Sequence, residues 1–157
     1  MQRLNYFPHF SAAFTKMTEI ETLVKNSALD HAIVHLVKIR TSQINNCAFC
    51  LDMHIKEAKI SGEKELRLHH LACWDESPLF SAKERAALMW AEALTKLSQG
   101  IVSDDLYAKV KEHFSDKEMT ELTMAIAMIN TWNRFGAPFR STPGSMDKLM
   151  GLDKAGL

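Results

Sequence analysis

A chain of 157 residues with 46% hydrophobic content fits one domain built on one substantial core, and two domains would be cramped. Lysine plus arginine and aspartate plus glutamate number 19 each and are interspersed, so no global field recommends nucleic acid, an anionic membrane or an acidic substrate. Three cysteines do not make a secreted disulfide framework, and no apolar signal core or run of about 18 uncharged apolar residues occurs, so a cytoplasmic chain that does not span a membrane is expected.

In chain order, about Ser11 to Asn26 places Phe14, Met17, Glu21 and Val24 in one row beside Phe10, Ala13 and Ile20, a helical stripe with one polar interruption. Asp30 is the expected N-cap of a second helix running to about Ile44, with Ile33, Leu36, Val37 and Ile44 at helical spacing. His31 and His35 lie one turn apart on it, and periodicity reads His35 as a polar residue at the edge of the apolar stripe. Asn45-Asn46 breaks the pattern, and a third helix is expected from Cys47 to the stop signal Ser61-Gly62. Glu63 to about Trp74 reads as a short helix, followed by a loop at Asp75-Glu76-Ser77-Pro78. Ser81-Ala82-Lys83-Glu84 and Ser115-Asp116-Lys117-Glu118 are capping-box patterns, each opening a helix. Between them Ser103 caps a short amphipathic helix. The last long helix, about Asp116 to Phe135, carries Met119, Leu122, Met124, Ala125, Ile126, Ala127, Met128 and Ile129 around nearly its whole circumference, as a helix enclosed by protein or by subunit contacts does. Pro138, Pro143 and Gly144 introduce a tail, residues 144–157, whose Met146, Leu149, Met150 and Leu152 either pack on a neighbour or are disordered. No long segment alternates apolar and polar residues as a strand would, so the expected fold is all-α, a single domain over residues 1–157.

The chemistry concentrates at Cys47-Ala48-Phe49-Cys50-Leu51-Asp52-Met53-His54. Residues three, four and seven apart share a helix face, so Cys47, Cys50 and His54 cluster at the helix start. A C-x-x-C pair serves as a redox dithiol, as half of a zinc site, or as buried packing. The unsatisfied N–H groups of the first turn favour a thiolate there, and His54 can take a thiol proton. One thiolate would attack a peroxide to give a sulfenic acid, the other would condense with it to a disulfide, and an external thiol would close the cycle. Zinc needs a fourth ligand, from Cys73, His69, His70 or His35, and three ligands along one helical face do not easily surround a metal. Cys73, His69 and His70 read as core or surface residues, and no resident metal or cofactor is expected.

Ser42-Gln43-Ile44-Asn45-Asn46-Cys47-Ala48-Phe49-Cys50-Leu51-Asp52-Met53-His54 resembles the AhpD-like alkylhydroperoxidases of the carboxymuconolactone decarboxylase family. Further resemblances lie at His35-Leu36-Val37-Lys38-Ile39-Arg40, at Glu84 to Thr95 and at Ile129-Asn130-Thr131-Trp132-Asn133-Arg134-Phe135, so that they cover about residues 30 to 143. The resemblance implies an AhpD-like all-α fold, assembly into trimers or hexamers, and thiol-dependent reduction of hydroperoxides with a dithiol or protein thiol as reductant. It also implies Cys50 as the cysteine oxidised to sulfenic acid, Cys47 as its resolving and proton-donating partner, and His54 in a proton relay. The family relay begins with a glutamate twelve residues before the first cysteine. Here that position is His35, which the resemblance moves from the edge of a stripe into the site. Other readings are a decarboxylase acting on a muconolactone-like acid, whose branch of the family lacks the C-x-x-C pair, a non-catalytic zinc protein, and a redox sensor. Trp132 and Arg134 read as packing with a surface ion pair, with an entrance to the thiols as the lesser alternative.

Overall fold

Helices start where the sequence offers an oxygen to the orphan N–H groups of a first turn. A computed structural model that describes residues 1–156 has eight α-helices, of which α2, α5, α6 and α7 start on such an oxygen: α1 (Ser11–Lys25), α2 (His31–Ile44), α3 (Ala48–Ile60), α4 (Glu65–His70), α5 (Ala82–Thr95), α6 (Asp104–Lys111), α7 (Asp116–Gly136) and α8 (Asp147–Met150). Among the described residues there is no strand, and no helix is long and apolar enough to cross a membrane. Asp30 caps α2 by accepting from the Ala32 N–H at 2.8 Å, Ser103 caps α6, and Ser81 and Ser115 each form a full capping box with the glutamate three residues on.

The all-α expectation holds, and α2 is its axis, packed against α3, α5 and α7. Its apolar residues serve two cores at once. Ile33, Val34 and Val37 join Ala87, Ala91, Leu122 and Ile126 on one side, and Leu36 and Ile39 join Ala58, Leu71, Trp74 and Leu88 on the other. Two charges on α2, the buried Lys38 and the half-buried Arg40, are matched in place: Lys38 pairs with Glu21 and Arg40 with Glu92. Glu21, the polar interruption of the first stripe, is therefore an ion-pair partner, and it also accepts from the Trp132 indole N–H at 3.1 Å.

Three details differ from the sequence reading. The segment expected as one helix from Glu63 to Trp74 is α4 followed by a 3-10 turn at Leu71–Cys73, because Arg85 takes the carbonyls of Trp74, Asp75 and Ser77 that would otherwise be left orphaned. α7 is not enclosed within one chain. Met124 is 46% exposed, Ala127 is exposed with it, and both line an open groove of about 530 Å³ with Trp90, Tyr107 and Thr123. The tail is ordered through Gly156: α8 and the 3-10 turn Leu152–Ala155 follow one another, that turn packs on α3, and Leu152 is 4% exposed. Lys56 on α3 fastens the tail, donating to Asp52 at 2.8 Å and Asp147 at 2.7 Å, while the Gly144 N–H donates to Asp52 at 2.9 Å.

Candidate active site

The turn between α2 and α3 is made by Asn46 at φ 52°, a left-handed conformation that asparagine tolerates better than most side chains. It delivers Cys47 as the N-cap of α3, so the helix begins at Ala48, one residue later than expected, and a sulfur does the capping. The Cys47 Sγ accepts from the Cys50 backbone N–H at 3.4 Å and lies 2.7 Å from the Cys50 Sγ. Each cysteine is 1% exposed, enclosed by Ile129, Phe49, Trp132 and Ala137.

α7 supplies the back wall. A Cβ on Gly136 would sit 2.7 Å from the Cys47 Sγ and 3.2 Å from the Cys50 Sγ, so only a residue without a side chain lets the helix come this close. One turn earlier, the Asn133 side chain faces both sulfurs and favours their ionised forms. Its amide is held in turn by accepting from Asn45 at 3.0 Å and donating to Ser42 at 3.2 Å. The N-terminal segment closes the same region: Arg3 donates from its backbone N–H to the Phe139 carbonyl and from its guanidinium to that of Pro138. Tyr6, packed at a tilt against the rings of Phe14, Phe135 and Phe139, has its phenol pKa raised, chiefly by burial.

The two thiols are driven apart electrostatically. The hydrogen bond from Cys50 holds the Cys47 thiol down at about 7 against the opposing effect of burial, helped by the backbone N–H groups of Cys50 and Phe49 and by Asn133. The same hydrogen bond, with burial and the charge on Cys47, pushes Cys50 up. The pair therefore rests with its negative charge on Cys47 and its remaining proton on Cys50.

His54 lies one turn beyond Cys50, buried, with its Nδ1 2.6 Å from the Glu57 Oε2. His35 on α2 faces the same cluster. Its Nε2 is 3.2 Å from the Ser61 hydroxyl, and its Nδ1 is the one buried side-chain polar atom without a hydrogen-bond partner among the described residues. Burial lowers its pKa, with opposing help from Glu57 and further lowering by the neighbouring His54, Lys38 and His31, so it is neutral at pH 7. The four residues singled out from the sequence thus divide into a dithiol, Cys47 and Cys50, and an imidazole pair, His54 and His35, gathered about Glu57. Among the described residues no three His, Cys, Asp or Glu side chains are grouped so as to hold a metal ion. Cys73 is exposed and the His70 Nδ1 is 3.1 Å from the Ser77 hydroxyl. Arg134 is exposed and bonds back to Asn130 on its own helix, whereas Trp132 packs against the dithiol.

Sequence reasoning did not find Glu57, Asn133 and Gly136. The signal for the last two was their three-residue spacing at the end of α7, which puts an amide and a gap on one face. For Glu57 it was a carboxylate three residues after His54 on the same helix.

The sequence pattern of the carboxymuconolactone decarboxylase family matches residues 8–93. The uncharacterized protein YdfG of Bacillus subtilis (strain 168) is 38% identical over 133 residues, which is 85% of this chain and 90% of YdfG. Among solved structures, ATU0492 from Agrobacterium tumefaciens, a protein of unknown function proposed as an AhpD antioxidant defence protein, is 41% identical with a TM-score of 0.88, covering 91% of this chain and 98% of that one. An uncharacterized peroxidase-related protein from Ralstonia eutropha JMP134, described as an alkylhydroperoxidase AhpD core, shares the fold at a TM-score of 0.78 and 20% identity, over 93% of this chain and 78% of that one. With its fold, its C-x-x-C pair at the head of α3 and these relatives, the chain belongs to the carboxymuconolactone decarboxylase family and is AhpD-like.

Proposed function

We propose that the protein is a thiol-dependent peroxidase that reduces alkyl hydroperoxides through a Cys47–Cys50 dithiol/disulfide cycle. The observation that carries this reading is the sulfur pair 2.7 Å apart at a helix N-terminus, with one thiol held near 7. The descriptions of ATU0492 as an AhpD antioxidant protein and of the Ralstonia protein as peroxidase-related point the same way.

Cys50 attacks once its proton has moved, either across the short sulfur–sulfur hydrogen bond to Cys47 or to His54. A lone pair of the Cys50 sulfur takes the distal oxygen of the hydroperoxide, the O–O bond breaks, and the alkoxide leaves as alcohol with the proton that Cys50 gave up to Cys47 or His54. The Cys47 thiolate then attacks the sulfenic sulfur of Cys50. A disulfide forms, and hydroxide departs as water with a proton drawn from solvent through the imidazole pair. An external dithiol or protein thiol supplies the two electrons that reopen the disulfide. No resident metal or cofactor takes part in this cycle. The protein works in the cytoplasm as a homo-oligomer, a trimer or hexamer, and binds neither nucleic acid nor membrane.

A stoichiometric pulse of an organic hydroperoxide on the reduced protein, read by intact mass, tests the cycle. The expected result is loss of two hydrogens in the native chain and a trappable sulfenic acid on Cys50 in Cys47→Ser. A chain whose thiols both survive the pulse unchanged sinks the reading. The resting charge on Cys47 favours a second order of events in which Cys47 attacks; in that case the trapped adduct appears on Cys47 in Cys50→Ser, and Cys47→Ser stays silent.

A further inference from the structure

We propose that Glu57 is the positioning residue of this site: its carboxylate fixes the His54 imidazole in the tautomer that leaves Nε2 as a base for the Cys50 proton. The inference deepens, and rests on, the thiol-peroxidase reading. An ionised carboxylate only accepts hydrogen bonds. With the Glu57 Oε2 2.6 Å from the His54 Nδ1, the ring hydrogen must therefore sit on Nδ1, and the lone pair is left on Nε2. Nothing else among the described residues hydrogen-bonds either ring nitrogen of His54, so Glu57 alone selects the tautomer.

The carboxylate is kept ionised by its surroundings. Burial pushes Glu57 up, but the hydrogen bond from His54 and the Lys38 cation, joined by His54 and His35 whenever these carry a proton, outweigh it and hold the group below the usual carboxylate range. These are the titratable groups facing it: Lys38 and His35 from α2, the former paired with Glu21 of α1, and His54 from its own helix. When Cys50 gives up its proton, His54 becomes an imidazolium, and the negative charge 2.6 Å away stabilises that cation. The same proton then leaves with the alkoxide displaced from the hydroperoxide, so the couple returns to its starting state each turn. In a buried setting an imidazole without a fixed counter-charge resists that protonation.

The test uses the full chain and needs no peroxide. In the Cys47→Ser background, the rate of Cys50 alkylation by iodoacetamide is followed from pH 5 to 10 with Glu57, Glu57→Asp and Glu57→Gln. Glu57→Gln is expected to slow alkylation at pH 7 by about ten-fold or more and to move the profile to higher pH, because removing the orienting charge disables the base. Glu57→Asp is expected to recover part of the loss. Nitrogen-15 NMR of the native protein should show a protonated Nδ1 and a bare Nε2 on His54. That measurement stands even where Glu57→Gln fails to fold. An Nε2-protonated His54, or an alkylation profile that is the same in Glu57 and Glu57→Gln, overturns the proposal. A native protein inert to peroxide but with Glu57-dependent alkylation overturns the peroxidase reading while supporting this one, and a peroxide-reactive protein indifferent to Glu57 overturns this one alone.

Discussion

Gly136 shows how closely the dithiol depends on a residue with no chemistry of its own. Gly136→Ala places a methyl group 2.7 Å from the Cys47 sulfur, so either the thiol rotates out of its pairing or α7 retreats from α3. We expect a loss of about 1–3 kcal/mol in denaturant unfolding, typical of overpacking, together with slower disulfide closure after a peroxide pulse; unchanged stability and closure would show that the wall is softer than its contacts. The thiols also tie stability to pH. Cys47 falls from its ordinary 9.0 to about 7 on folding, so between these values the unfolded chain binds more protons and stability rises with pH. That contribution is fully present above 9 and is lost as pH falls through 7. Cys50 shifts the other way, so above its ordinary value the folded chain holds the extra proton and stability falls again. Reduced native protein is therefore expected to gain stability from pH 7 toward 9 and lose it above, a pattern absent from the Cys47→Ser, Cys50→Ser double variant in matched urea titrations.

At the scale of elements, the site is assembled where three helix segments end or begin: the C-terminus of α2, the N-terminus of α3 and the last turns of α7. Each end was marked in the sequence by Asn45-Asn46, by the cysteine motif itself, or by Pro138 and Pro143 after Phe135. The capping boxes at Ser81 and Ser115 were legible for the same reason, since a cap is local chemistry over four residues. The order of the tail was not legible, because it is imposed from 91 residues away by the Lys56–Asp147 bond. Lys56→Ala leaves Asp52 and Asp147 facing each other without a cation, and hydrogen exchange across residues 144–155 is expected to speed up while that of α2 stays slow. Equal protection of the tail in both proteins would mean that Leu152 alone holds it.

For the whole molecule, the open groove on α6 and α7 decides how the chain presents itself. Tyr107 and Met124 are 47% and 46% exposed, an apolar face that the periodicity of α7 led us to expect under cover. In the proposed homo-oligomer this face is the natural seat of a neighbour, and Met124→Lys is expected to lower the mass measured by light scattering; a native protein that is monomeric at micromolar concentration rules the assembly out. The sequence by itself determined the helical periods, most of the helix starts and the placement of Cys47, Cys50 and His54 on one face, because capping, periodicity and i to i+4 spacing act within a turn or two of chain. Only the tertiary structure decided which sulfur carries the charge, that Asn133 and Gly136 back the thiols from 86 and 89 residues beyond Cys47, and that His35 meets Glu57 and His54 across α2 and α3. Those relations depend on burial and on distances between helices, and neither is written in the spacing of residues along one of them.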